Sequence, residues 1–150
     1  MKIVIQRVVR ASVRVGEAVT ARIGPGLLLL VGIEKEDGHE EARRAAEKIA
    51  HLRIFALEPG TDDRMERSVL DTEGEVLVVS QFTLAASVRK GRRPGFDAAA
   101  PPERAEPIYL ALVSALREQG VRVATGVFRA MMEVELVNDG PVTFILESGS

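Results

Sequence analysis

Cysteine is absent from the 150 residues, so the chain forms neither a disulfide framework nor a thiolate metal site, and no thiol is available as a nucleophile. Histidine is nearly absent. Its two occurrences, His39 and His51, fall near opposite ends of one expected helix, too far apart to share an ion, so neither a metal nor any other cofactor is expected. A Ser-His-Asp triad is equally short of its base, since neither histidine has an evident route to a nucleophile. Long apolar runs are missing too: the longest, residues 27–31, falls far short of the about 20 residues that span a bilayer. Charge and amide interrupt the first residues, Met1-Lys2-Ile3-Val4-Ile5-Gln6-Arg7, where a secretory leader carries an apolar stretch. The expectation is a cytoplasmic protein with no membrane partner. Nor is there an excess of one charge. With 20 basic and 22 acidic residues the net charge is −2, so any contact with nucleic acid must be local.

What is present reads as one domain over residues 1–150. Residues 3–15 mix β-branched and polar side chains, Gly16-Glu17 supplies a turn, and residues 18–23 return, which predicts an N-terminal hairpin. Residues 27–33 form an apolar run that suits a central strand covered on both faces. Asp37 and Glu40 have the spacing of a capping box, and Ala42, Ala45, Ala46, Ile49 and Ala50 follow at helical spacing. A short strand over 52–57, a polar loop over 58–68 and a turn at 71–75 lead to a buried strand, 76–79, ending at Ser80. Residues 85–102 read as a long loop. A second helix carries Ala105, Ile108, Tyr109, Leu112 and Leu116 on one face, with Pro107 in its first turns and Gly120 as its stop. Extended segments follow at 121–123, 132–136 and 142–146, and 148–150 reads as a tail. Two helices among roughly seven strands predict an α/β fold of α+β character: mixed, largely antiparallel sheet layers with two outer helices.

Three segments attract attention as sites, each with an ordinary alternative. Ser80-Gln81-Phe82-Thr83 leaves a buried strand at a sheet end, where a pocket can form, yet Ser and Thr there often bond only their own backbone. Arg89, Lys90, Arg92 and Arg93 surround Gly91, four cations able to neutralise phosphates or simply to solvate a loop. Asn138-Asp139-Gly140-Pro141 lies between two extended segments and, on local sequence, reads as a hairpin turn.

Together these segments carry more than each does alone. With Gln6-Arg7-Val8, Ala11-Ser12-Val13, Gly26-Leu27-Leu28, Gly91-Arg92-Arg93-Pro94 followed by Phe96, and Val137 through Thr143, the chain resembles the D-aminoacyl-tRNA deacylase family over nearly its whole length. Phe128-Arg129-Ala130 departs from the pattern, with Arg where a small residue is expected, which puts the packing near Phe128 in question. The resemblance implies a homodimer with composite active sites, each receiving a cis Gly140-Pro141 from the other subunit. The substrate it implies is tRNA charged with a D-amino acid; a wall that rejects side chains has nothing to reject in glycine, so tRNA charged with glycine is expected as a second substrate. It assigns Ser80, Gln81, Phe82 and Thr83 to catalysis, and Gly140, Pro141, Asn138, Arg7, Phe128 and Met132 to substrate binding and chiral selection. Arg7 is expected to brace the Gly-Pro loop, Phe128 and Met132 to lie near the adenine end, and the four cations to meet tRNA.

Two routes to hydrolysis remain open. Thr83 attacks the ester directly, or the terminal ribose 2′-hydroxyl of the tRNA assists water while N–H groups around Phe82 and Thr83 stabilise the oxyanion; the lack of an evident base favours the second. Two rival readings stand beside the deacylase: an RNA-binding or dimerisation module without turnover, and a general esterase for small substrates, which the missing histidine disfavours.

Overall fold

The computed structural model describes residues 1–61 and 64–148; residues 62 and 63 of the expected polar loop and 149 and 150 of the expected tail lie outside the described residues. The hairpin forms as the sequence implies, with β1 (Lys2–Val15) turning into β2 (Ala18–Ile23). The apolar run becomes β3 (Gly26–Gly32), buried at every position except Leu30. Helix α1 (His39–His51), the small ribbon of β4 (Phe55–Ala56) and β5 (Met65–Arg67), then β6 (Glu75–Ser80), helix α2 (Pro102–Glu118), β7 (Arg122–Thr125) and β8 (Glu133–Glu147) complete the order. The main sheet runs β2-β1-β3-β6-β7, with β8 also paired to β1. Pairs β1–β2, β1–β3 and β1–β8 are antiparallel, while β3–β6 and β6–β7 are parallel, so β3 is central. Among the described residues no helix is long and apolar enough to cross a membrane.

Both helices cover one face. Ala42, Ala46 and Ile49 of α1 and Ile108, Leu112 and Leu116 of α2 close over Ile3, Ile5, Leu27, Leu29, Val31, Val76 and Val78. Pro107 lies inside α2, where a proline costs about 3 kcal/mol through a lost hydrogen bond. Burial of Ile108, Leu112, Val113 and Leu116 outweighs it, since each such side chain stabilises by roughly 1.5–3 kcal/mol. A second cluster, Val8, Ala11, Val13, Ile23, Leu28, Leu77 and Val79, fills the other face, with Met132, Val134 and Leu136 against it. β1 serves both clusters because its register against β8 shifts on either side of Val8, and a shift of one residue swaps the faces of every later side chain.

Four expectations change. Asp37 does not cap α1; the cap is Gly38, whose N–H donates to the Glu41 carboxylate at 3.1 Å, while Asp37 is buried and meets the Met1 amino group at 2.6 Å. The strand at 52–57 shrinks to Phe55–Ala56, because its partner, Met65–Arg67, lies inside the expected loop and is itself only three residues long. Ser148 is docked, accepting from the Met1 amino group at 2.7 Å. Most consequentially, residues 138–141 do not join two paired strands. Both arms of β8 pair with the same strand, Leu136 opposite Ala11 and Thr143 opposite Gln6. Residues 139–142 therefore stand opposite Arg7 alone and are extruded as a bulge.

Candidate active site

β6 ends at Ser80, and the Gln81 N–H extends its ladder by donating to the Val31 carbonyl at 2.7 Å. A 3-10 turn, Phe82–Ala85, follows at once. The Leu84 N–H returns to the Gln81 carbonyl at 3.1 Å and the Ala86 N–H to the Thr83 carbonyl at 3.1 Å, which leaves the N–H groups of Phe82 and Thr83 at the head of the turn without an acceptor among the described residues. Gly32 allows this close approach: a Cβ there falls 2.8 Å from Leu84 Cβ and 3.0 Å from the Gln81 carbonyl oxygen. Phe82 and Thr83 are exposed. The Thr83 hydroxyl accepts from the Gln81 side-chain amide, which is not a base. Both histidines lie in α1, where His51 bonds Gln119 at 3.0 Å, so neither serves Thr83.

Several residues gather at the same end of the sheet. The Phe82 ring meets Phe96 at a centroid distance of 5.3 Å. Between them, Ser87 and Gly95 exchange both backbone hydrogen bonds at 2.8 Å, closing a loop whose exposed residues include Arg89, Lys90, Arg92 and Arg93. On the other side, the Gly126 N–H and the Tyr109 hydroxyl both donate to the Val78 carbonyl at 2.9 Å. Burial pushes the Tyr109 phenol up to about 12, so it stays a neutral donor. Phe128 rests on Tyr109 at 5.6 Å, and the Met132 sulfur lies over Gly126 beside Val79, 2.8 Å from where a Cβ would stand. Arg129 adopts φ +68, the left-handed conformation that glycine favours, but it is exposed and Phe128 still packs on Tyr109.

The Gly140-Pro141 bond is cis, and two side chains hold the loop around it. Arg7 Nε donates to the Asp139 carbonyl at 3.2 Å and lies 3.3 Å from its carboxylate, while Nη1 donates to the Ile54 carbonyl at 2.8 Å. Asn138 closes the base of the loop, donating to Thr143 Oγ1 at 2.8 Å and accepting from the Val142 N–H at 2.9 Å. Gly140 sits at φ +129, where an L side chain is strained. Gly140 and Pro141 are exposed at the tip, beside a cleft of about 500 Å³ that Arg7, Arg67, Arg122 and Glu73 help to line.

The chain does not bring its two motifs together. Arg7 is level with Leu27 and hence with Val76 of β6, whereas Ser80 lies four residues further along. With three strand spacings between β8 and β6, the separation along the sheet is on the order of 20 Å. Ser80 through Thr83, Phe128, Met132 and the cationic loop share one end; Arg7, Asn138, Gly140 and Pro141 share the other. Gly32 and Tyr109 shape the site although no motif names them as site residues. A glycine ending an apolar strand is a signal of close approach; Tyr109 gave none beyond its place on the apolar face of a helix.

Comparison with known proteins agrees across the chain. The family model described as D-Tyr-tRNA(Tyr) deacylase matches residues 4–147. A D-aminoacyl-tRNA deacylase of Anaeromyxobacter dehalogenans (strain 2CP-C) is 56% identical over 148 residues, covering 99% of this chain and 97% of its own. A solved c-Myc DNA Unwinding Element Binding Protein is 44% identical with a TM-score of 0.92 and full coverage of both chains. A structure of a probable eukaryotic D-amino acid tRNA deacylase, 18% identical over 97% of each chain, has a TM-score of 0.84 and shares the fold.

Proposed function

The chain belongs to the D-aminoacyl-tRNA deacylase family, and from that premise we propose that two copies build each active site, the Ser80–Thr83 turn of one roofed by the Gly140-Pro141 loop of the other. The observation that carries this is the separation of the two motifs. Phe82 and Thr83 of the one and Gly140 and Pro141 of the other are exposed, each motif is braced by its own hydrogen bonds, and within one chain they lie on the order of 20 Å apart along the sheet, too far to hold one ester between them. A second copy related by a two-fold axis supplies each turn with the loop it lacks and leaves both sites equivalent. Val137, Phe144 and Ile145 are exposed apolar residues on β8, the strand that carries the loop, which suits a surface that meets another copy.

The roles follow from this arrangement. D and L esters carry identical groups, and a preference for one side chain is worth only about 1–3 kcal/mol per methylene. A backbone wall placed where an L side chain points discriminates by clash instead. The loop fits that task because Arg7 and Asn138 hold it from behind while Gly140 and Pro141 present no long side chain. Glycine has no side chain to reject, so glycyl-tRNA is also hydrolysed, and D side chains of many sizes are admitted. The unpaired N–H groups of Phe82 and Thr83 stabilise the oxyanion, the 2′-hydroxyl of the terminal ribose assists the attacking water, and Phe128 with Met132 borders the terminal adenine. Arg89, Lys90, Arg92 and Arg93 hold tRNA phosphates, a local contact that the net charge of −2 does not oppose. Chiral proofreading of translation in the cytoplasm is the task that these properties serve.

Incubation with matched D-tyrosyl-, L-tyrosyl- and glycyl-tRNA, followed through acid-precipitable label, tests the reading. Rapid loss of the D and glycyl esters with the L ester spared is the expected outcome. Binding of all three without turnover makes the protein a non-catalytic module, and equal loss of all three makes it an esterase without a chiral wall.

A further inference from the structure

We propose that Phe82 and Phe96, flanked by the cationic loop, form a stacking platform for the unpaired nucleotides that immediately precede the esterified one, so that the enzyme takes a single-stranded 3′ end. This rests on the deacylase reading above and names the part of the RNA that the site grips. Phe82 is 58% exposed and Phe96 43%, and neither belongs to either core cluster. Their rings are 5.3 Å apart and tilted by 40°, which leaves aromatic faces open to solvent. An exposed pair of this kind does nothing for the core, yet π faces of this kind accept any base, and each base stacked on an aromatic ring contributes about 1–3 kcal/mol.

The surroundings favour RNA over an apolar partner. The loop from Ser87 to Gly95 contains four cations and no acid, and none of Arg89, Lys90, Arg92 and Arg93 is ion-paired among the described residues. The reciprocal bonds between Ser87 and Gly95 close that loop directly before Phe96, so the charges and the rings form one continuous surface. Base faces inside a duplex are already stacked on one another; only unpaired nucleotides offer theirs. The order along the strand also follows. The N–H of Phe82 heads the turn assigned to the ester, while its ring points to Phe96, so bases on the platform neighbour the reacting nucleotide.

Binding of a non-acylated RNA stem-loop bearing a four-nucleotide 3′ overhang, compared with the same stem-loop ending blunt, tests the platform by fluorescence anisotropy. Phe96→Ala is expected to weaken overhang binding by roughly 5- to 100-fold and to leave blunt binding unchanged. Phe96→Leu, which keeps volume without a π face, behaves as Phe96→Ala, and Phe96→Tyr as the parent. On D-tyrosyl-tRNA, Phe96→Ala raises KM with little change in kcat. Overhang affinity equal to the parent, or equal weakening of both RNAs, overturns the proposal. So does a fall in kcat at unchanged KM, or a dimeric parent that Phe96→Ala converts to monomer, since a second copy then covers the pair. The binding assay contains no ester, so a parent protein that failed to hydrolyse D-tyrosyl-tRNA would still report on the platform.

Discussion

Gly140→Val is expected to lower kcat/KM on D-tyrosyl-tRNA by about 10³-fold or more, a loss of roughly 4 kcal/mol of transition-state stabilisation, with the fold intact. A Cβ at this position falls 2.6 Å from Val142 Cγ2, 3.0 Å from the Val142 nitrogen and 3.2 Å from Arg7 Nη2. The first contact moves easily; the backbone nitrogen does not, because its N–H is fixed to Asn138 at 2.9 Å. At φ +129 a β-branched residue adds strain of about 1–3 kcal/mol, so the loop must change shape to accept it. A displacement near 1 Å at a positioning element costs about 10²-fold, and in the proposed composite site the new side chain also enters the space meant for the substrate. The core is not disturbed, since Gly140 is exposed and belongs to neither cluster. Steady-state kinetics beside a thermal melt separates the two effects. Parent-like turnover by a folded Gly140→Val protein would remove the loop from the site.

Replacing the terminal nucleotide of the substrate by its 2′-deoxy form is expected to slow hydrolysis by about 10³-fold or more, whereas Thr83→Ala stays within about tenfold of the parent. The contrast comes from what surrounds the Thr83 hydroxyl. Its partner is the Gln81 amide, which donates a hydrogen bond and accepts no proton, and the histidines lie in α1. A hydroxyl without a base is a weak nucleophile, so in the proposed mechanism the proton passes to the 2′-hydroxyl that the substrate brings. What the chain does offer is the pair of N–H groups at the head of the turn, a donor arrangement whose single members are worth about 10²- to 10³-fold elsewhere. Single-turnover rates on both substrates with both proteins decide the matter. A large loss in Thr83→Ala together with normal hydrolysis of the 2′-deoxy ester would assign direct attack to threonine.

Elements set by local pattern were legible in the sequence. The hairpin of residues 2–23, the buried run of β3, the alanine-rich face of α1 and the strand ending at Ser80 all follow from side-chain period and turn residues. Features set by distant partners were not. Asp37 has the spacing of a cap, but an amino group brought from the start of β1 claims its carboxylate, and Gly38 takes the cap. Asn138 to Pro141 carries the signature of a hairpin, yet both flanking arms find the same partner strand, so the turn becomes a bulge. The site residues were named through the family resemblance carried by their motifs, and their order along the chain gave no hint that they occupy opposite ends of the sheet. That fact depends on the parallel pairing of β3 with β6, which no local window contains.

The division of each site between two copies is tested most directly by complementation. Phe82→Pro removes one N–H from the head of the turn at a position where proline suits a helical start, and it is expected to cost at least about 10²-fold. Gly140→Val disables the loop. Two differently tagged chains, one with each substitution, are co-expressed, and the mixed dimer is isolated through both tags. A site shared between copies leaves one of the two intact, so the mixed dimer is expected to recover about half of the parental activity although each variant alone is nearly inert. A mixed dimer as inactive as either variant alone would place the turn and the loop of each site in the same chain and contradict the composite site.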